Sequence, residues 1–349
     1  MSKKFFWPSA FCVDGKNIWF VYGKVPVICL YNMEEKRVQI MAGIPVDNIF
    51  KESLYIKIIK KGKKLYLIPC WANAVYVYDI SKNTFKKILV SSGSGMLFVN
   101  AFLIGDEVIC VPGAYRGIIC IDTCSDMVEL KCEISNIMEE KGIIYFNSAD
   151  CCDGKILLAS PQSCMGYVYD IQENSFYEMK ICEKKCGYNS VVIQNHLSFW
   201  NSLEDRCIRI LDADFSYLGE LNWPDDSRGG YLYPWGNDKV LLDGYSGAMG
   251  WIYTANDIFG MYQSERLQDR DGYYTYCEGI YDRTNQMYFD NCAVAFFDLK
   301  KNCYFRIEIS EEQINILKKI VAEAVSKKSD LILESYLYNL TNYLEEINL

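Results

Sequence analysis

Glu278, in TYCEGIY, is the carboxylate whose setting best suits acid–base work, with Glu52, Glu204 or Asp205 from other parts of the chain as its partner. Two carboxyls in different surroundings can divide the roles of proton donor and base at a glycosidic or peptide bond. Arg116 or Arg228 would serve as an anion clamp. Imidazole chemistry has little to draw on, because the chain holds one histidine, His196 in IQNHLSF. A Ser-His-Asp or Cys-His relay would have to be built on it. The stretch SSGSG from Ser91 is Gly-rich but lacks the Lys and following helix of a phosphate-binding P-loop. Sixteen cysteines occur without a Cys-x-x-Cys pair; the nearest sets are Cys151 with Cys152, Cys120 with Cys124, and Cys182 with Cys186. Zinc calls for paired short spacings or a His partner. Cys29, Cys110 and Cys120 lie inside apolar runs, where a thiol acts as a small hydrophobe. The expectation is no metal and no cofactor.

Composition narrows the partners. A net charge of −9 over 349 residues repels phosphate backbones, so nucleic acid is excluded as the main ligand. The basic run Lys57, Lys60, Lys61, Lys63 and Lys64 surrounds Gly62 and reads as a solvated turn. No apolar run reaches the roughly 18 residues that a membrane span needs. The opening MSKKFFWPSAFCVDGK meets Pro8 and Asp14 too early for a secretory signal, which places the chain in the cytoplasm.

The elements that must position these residues follow from a repeat. VYVYDISKNTF (75–85) and GYVYDIQENSF (166–176) nearly match. The same alternating run recurs, ending at Asn32, Asp79, Asp122, Asp170, Asp212, Thr254 and Asp298, with gaps of 47, 43, 48, 42, 42 and 44 residues. A Gly-, Asn- or Asp-rich turn precedes each anchor, as tight hairpins require. Each unit therefore reads as strands A, B, C and D, with a short A–B turn, a varied B–C loop and a C–D turn closed by the anchor. Four short antiparallel strands at a period near 44 are the pattern of a propeller blade. Residues 1–309 are expected to form an all-β, seven-bladed antiparallel β-propeller. Residues 310–349 form a second region, an α-helical hairpin at 311–326 and 331–347. SEEQ at Ser310 is a capping box, and apolar residues then recur at helical spacing. That hairpin either packs on the ring and braces its closure or serves as a homodimer or partner surface.

The YVYD phrase followed by Asn and an aromatic resembles the kelch and galactose-oxidase-like propellers over about residues 5–309. The Gly-Gly pair of kelch strands is absent, so the resemblance is to the wider propeller class. It implies an architecture. A galactose-oxidase-like copper centre would want several His ligands, and that activity does not carry over. In a propeller the B–C and D–A loops share one face, and here they are the varied ones. B–C loops offer Trp71 and Asn73, Tyr115 and Arg116, Gln162, Trp200 and Asn201, and Tyr245; Arg228 lies on the D–A side. At the starts of the A strands stand Ser9, Asn147 or Ser148, Asn189, Tyr231 and Glu278, with Asn100 one step off. Polar groups ringed there beneath aromatics suit a peptide, protein or glycan ligand. The expected activity is recognition or scaffolding, with an enzyme acting on a sugar or peptide through Glu278 as the alternative.

Overall fold

The computed structural model describes residues 8–47, 54–90, 95–183, 186–223, 231–235, 239–243, 249–253, 258–262, 285–290, 293–298, 303–306 and 309–326. The first sheet holds β1 (Pro8–Asp14), β2 (Asn17–Tyr22), β3 (Val27–Asn32) and β4 (Arg37–Gly43). The second holds β5 (Tyr55–Lys61), β6 (Lys64–Pro69), β7 (Ala74–Asp79) and β8 (Thr84–Leu89). The third holds β9 (Phe98–Ile104), β10 (Glu107–Pro112), β11 (Gly117–Asp122) and β12 (Val128–Glu133), and a short helix α1 (Ser135–Lys141) follows it. The fourth holds β13 (Ser148–Cys152), β14 (Lys155–Ala159), β15 (Met165–Asp170) and β16 (Ser175–Lys180). The fifth holds β17 (Ser190–Gln194), β18 (Leu197–Ser202), β19 (Cys207–Leu211) and β20 (Tyr217–Asn222). The sixth holds β21 (Tyr231–Trp235), β22 (Lys239–Asp243), β23 (Met249–Tyr253) and β24 (Ile258–Tyr262). Three more strands, β25 (Asn285–Asp290), β26 (Ala293–Asp298) and β27 (Cys303–Arg306), form a further sheet, and α2 (Glu311–Ser326) comes last. Within the first six sheets, each strand pairs antiparallel with the next in sequence.

The chain divides into two compact units. Unit 1 is Met1–Ser94, Phe289–Phe296 and Tyr304–Leu349; unit 2 is Gly95–Tyr288 and Phe297–Cys303. In both, the core lies between neighbouring sheets, because a sheet of four short strands cannot cover its own apolar faces. Trp19, Ile28, Leu54, Leu67 and Tyr76 fill the space between the first two sheets of unit 1. In unit 2, Ile109, Phe146, Leu158 and Tyr167 pack between the third and fourth sheets, and Leu157, Tyr188 and Trp200 between the fourth and fifth.

The repeated phrase is a turn device. The anchor side chains of Asn32, Asp79, Asp122 and Asp170 each accept backbone N–H bonds from the residues two and three positions on; Asp212 accepts from the residues two and four on. These bonds, led by the Ser81 hydroxyl for Asp79 and by the Ser125 amide for Asp122, hold both carboxyls below their usual range. Their contribution is present at neutral pH and is lost as acid protonates them. The residue after the anchor then binds back to the A–B turn: the amides of Met33, Ile80, Thr123 and Ile171 donate to the carbonyls of Lys16, Lys63, Asp106 and Gly154. Four residues past the anchor the chain enters the left-handed region, at Lys36, Asn83, Asp126 and Asn174. Asn83 and Asn174 suit that conformation, and each amide oxygen also accepts the hydroxyl of the Tyr just before the anchor, Tyr78 at 2.9 Å and Tyr169 at 2.7 Å. The closing aromatic packs on the same strand, Phe85 on Tyr78 and Phe176 on Tyr167. The two phrases differ at Val75 and Gly166 for a packing reason. A Cβ at Gly166 would lie 2.8 Å from the Trp200 indole, which occupies that space.

The C-terminal region begins as the capping box requires. The Gln313 amide N–H donates to Ser310 Oγ at 3.2 Å, and Gln313 Oε1 accepts the Ser310 N–H at 2.8 Å. Gln313 Nε2 also donates to the Val38 carbonyl of β4, the last strand of its sheet, and so occupies part of an open edge. Leu317 and Val321 are buried, and Ile320 lies over Gly43, where a Cβ would be 2.7 Å from its methyl group. The second helix expected at 331–347 lies outside the described residues. Helix α1 was not expected. It is one two-turn segment held by buried Met138 and ended by Gly142 in the left-handed conformation, too short for its period to stand out. Among the described residues no helix is long and apolar enough to cross a membrane.

Replacing Asn174 by Ala removes the Tyr169 bond and puts a Cβ-bearing residue without a polar side chain at positive φ. Urea unfolding of Asn174→Ala should show a loss of about 2 kcal/mol. Asn174→Gly, which frees the backbone but lacks the bond, should lose about half as much.

Candidate binding face

The first strands of consecutive sheets stand side by side in unit 2, joined by their side chains. Asn100 Nδ2 donates to the Ala149 carbonyl at 2.8 Å. Ser148 Oγ lies 3.2 Å from both the N and O of Val191, and Asp150 Oδ2 accepts the Ile193 N–H at 2.7 Å. Ser190 Oγ accepts the Leu232 N–H at 2.9 Å. The constant offset from 148 to 191 and from 150 to 193 means that β13 and β17 run in the same direction. Their starts, and the D–A and B–C loops, therefore share one edge.

At that edge four of the expected ligand residues converge. Asn147 Nδ2 lies 3.0 Å from the Asn189 carbonyl and 3.2 Å from the Tyr231 hydroxyl. Asn201 Nδ2 donates to Asn189 Oδ1 at 3.0 Å, and Asn201 Oδ1 accepts the Trp223 indole N–H at 2.6 Å. Asn189 and Asn201 are buried, so their amides serve this network as buried polar groups must. Asn147 and Tyr231 are half-buried, and Tyr233 lies beside Tyr231 at 6.4 Å. A ligand reaching the network meets a carboxamide and a phenol first.

Trp200 and Asn201 correct the loop assignment. Both belong to β18 and are fully buried, because the strand continues through Ser202 and the B–C loop starts after it. Trp200 packs under the D–A loop, edge-on to Tyr188 at 5.9 Å, with its indole N–H donated to Ser198 Oγ. Tyr115 rests on Phe98 at 5.2 Å, with Arg116 exposed beside it and 3.9 Å from Glu133. Gln162 is exposed, with its amide N–H donated to Ser160 Oγ. In unit 1, Trp71 is 42% exposed. Asn73 there donates to Asp47, which also binds Lys87 at 2.8 Å. Glu278, Arg228, Tyr245 and Glu52 lie outside the described residues. Glu204 is exposed, and Asp205 is bound by Arg209.

Arg209 is the residue that sequence reasoning missed. It sits in β19 with no exposure. One terminal nitrogen donates to the Tyr188 hydroxyl at 3.1 Å and to Cys186 Sγ at 2.8 Å, and the other binds Asp205. Its guanidinium also lies over the Tyr188 ring, 5.4 Å from the centroid. Burial pushes the Cys186 thiol and the Tyr188 phenol up, so both stay protonated and neutral beside the cation. The loop fixed in this way delivers Asn189, the next residue, into the network. A charge interrupting the apolar run CIRIL was the available signal.

The thirteen cysteines whose side chains are described are free thiols. The one group of three among the described residues with ligand atoms close enough to share a metal ion is Cys152, Asp153 and His196, on the edge opposite the loops.

The sequence matches no family model and no curated protein. Similar solved structures share its fold. Virginiamycin B lyase from Staphylococcus aureus, a catalytically inactive histidine-to-alanine variant with quinupristin, is 12% identical, with a TM-score of 0.65 over 84% of this chain and 94% of that one. YCF48 bound to D1 peptide is 8% identical, with a TM-score of 0.63 over 84% and 91%. Hsv2 of Kluyvelomyces marxianus is 10% identical, with a TM-score of 0.55 over 88% and 98%. These neighbours are β-propellers, and the chain shares that fold class, built of antiparallel four-stranded sheets.

Arg209→Met should cost about 2 kcal/mol in urea unfolding, because it takes the donor from the buried Tyr188 hydroxyl and Cys186 thiol, while the exposed Asp205 exchanges the guanidinium for water. Arg209→Lys should recover little of this, since an ammonium cannot fork between Tyr188 and Asp205.

Proposed function

We propose that this chain is a seven-bladed β-propeller recognition module that binds a peptide, protein or glycan on the loop-bearing edge of its sheets. Seven successive repeat units and seven sheets support the blade count. The observation that carries the binding role is the pairing of Asn147 and Tyr231 over a buried amide network. A carboxamide offers both a donor and an acceptor, and a phenol adds an apolar ring with a polar tip. Peptide backbones and sugar hydroxyls present the matching groups. Tyr115, Arg116 and Gln162 project from the B–C loops of the same unit and extend the contact; Arg116 favours a ligand with an acidic group. YCF48, a neighbour in fold, is bound to a peptide.

Catalysis is the weaker reading. The lyase neighbour is inactive in a histidine-to-alanine variant, whereas His196 here stands on an A–B turn away from the loops. Docking or dimerisation through residues 311–347 belongs to the same reading of the chain as a module: α2 spends Leu317 and Val321 on its own sheet and leaves Ile316 40% exposed. A cytoplasmic setting suits a chain with so many free thiols.

The test is selection of a displayed random-peptide library and a glycan array against the immobilised protein. Binders should weaken about tenfold, measured by titration, in Tyr231→Phe and Arg116→Ala. An absence of binders, or binders indifferent to both changes, would contradict the reading.

A further inference from the structure

The parallel register of β13 and β17 has a consequence at the far edge. The offset that pairs Ser148 with Val191 and Asp150 with Ile193 also brings the A–B turn at Asp153 beside the A–B turn at His196. There the Cys152 thiol, the Asp153 carboxylate and the His196 imidazole each place one ligand atom within 4.8 Å of the others. His196 Nδ1 is 3.4 Å from Asp153 Oδ2. A tetrahedral zinc ion with metal–ligand bonds of about 2.0–2.2 Å sets nitrogen and oxygen ligands about 3.3–3.5 Å apart. Asp153, Gly154, Asn195 and His196 all take the left-handed conformation of tight hairpin turns. His196 fills the second turn position, which hairpins ordinarily give to glycine, so its side chain is carried there against backbone preference.

We propose that Cys152, Asp153 and His196 form a three-ligand site for Zn2+, with water in the fourth position, stapling the fourth and fifth sheets at the edge opposite the ligand face. A thiolate and a carboxylate neutralise the dication, and the neutral imidazole completes a donor set suited to zinc and cobalt(II). On binding, the Zn–S bond replaces a zinc-bound water, and the proton of the Cys152 thiol passes to solvent. Asp150 stands behind the site with its carboxylate committed to the amides of Cys151 and Ile193. Cys151, next in sequence, points to the other face of β13 by strand alternation.

Cobalt(II) added to the untagged full-length protein tests this through its optical spectrum. One equivalent should give visible d–d bands and a near-ultraviolet sulfur-to-cobalt charge-transfer band. The charge-transfer band should vanish in Cys152→Ser, and Zn2+ affinity by calorimetry should fall at least about a hundredfold in His196→Ala, more than an outer-shell change causes. Zn2+ should raise the melting temperature of the parent protein and of neither variant, with circular dichroism confirming that both variants fold. The proposal fails if no charge-transfer band forms, if the same band persists in Cys152→Ser through another thiol, or if His196→Ala binds zinc as tightly as the parent.

Discussion

In unit 2 the first strands of the fourth, fifth and sixth sheets each have one backbone neighbour, their own second strand, and turn their other edge of N–H and C=O groups toward the preceding sheet. Open edges of that kind are sites of aggregation unless something occupies them. In unit 2 the occupants are short polar side chains. Asn100, Ser148, Asp150 and Ser190 each bond the backbone of the strand beside them. Every such bond fixes the stagger between two sheets, and with it which loops and turns meet at either end. The Asn147–Asn189–Tyr231 network and the Cys152–Asp153–His196 group both depend on that stagger.

Polar residues on these strands therefore do two different jobs within a few positions of each other. Along the strand they hold sheets together, Ser190 fully buried and Asn100, Ser148 and Asp150 half-buried. At its start, where Asn147 and Tyr231 stand, the same chemistry is half-open to solvent. Arg209 separates the two roles: it ties the D–A loop through Tyr188 and Cys186, so that Asn189 enters the network as support and leaves the rim to its neighbours. The conspicuous YVYD phrase serves the opposite edge. Its Asp closes a turn, its Tyr holds the Asn four residues past the anchor, and its aromatic packs against the strand.

The sheets were legible because hairpin turns and anchors recur in phase, and a period near 44 leaves few architectures open. The capping box at Ser310 was legible for a local reason, since it involves residues three apart. Trp200 and Asn201 were misplaced because a loop boundary moved by three residues looks the same in an apolar–polar string. Arg209 escaped because its partners, Cys186 and Tyr188, lie more than twenty residues away. His196 stands alone in the sequence, but the repeat holds its neighbour: the turn one unit earlier carries Cys152 and Asp153. Comparing equivalent positions of successive units, rather than neighbours in sequence, would have joined them.

The most direct test of the cross-sheet bonds is amide hydrogen exchange at Leu232 and Ile193, two of the N–H groups whose acceptors are side chains of the preceding sheet. They should exchange as slowly as the ladder amides of β17 and β18, and Ser190→Ala should release Leu232 while leaving Ile193 protected. Exchange at both positions as fast as in the hairpin turns of the unaltered protein would contradict the claim that these bonds set the stagger of the sheets.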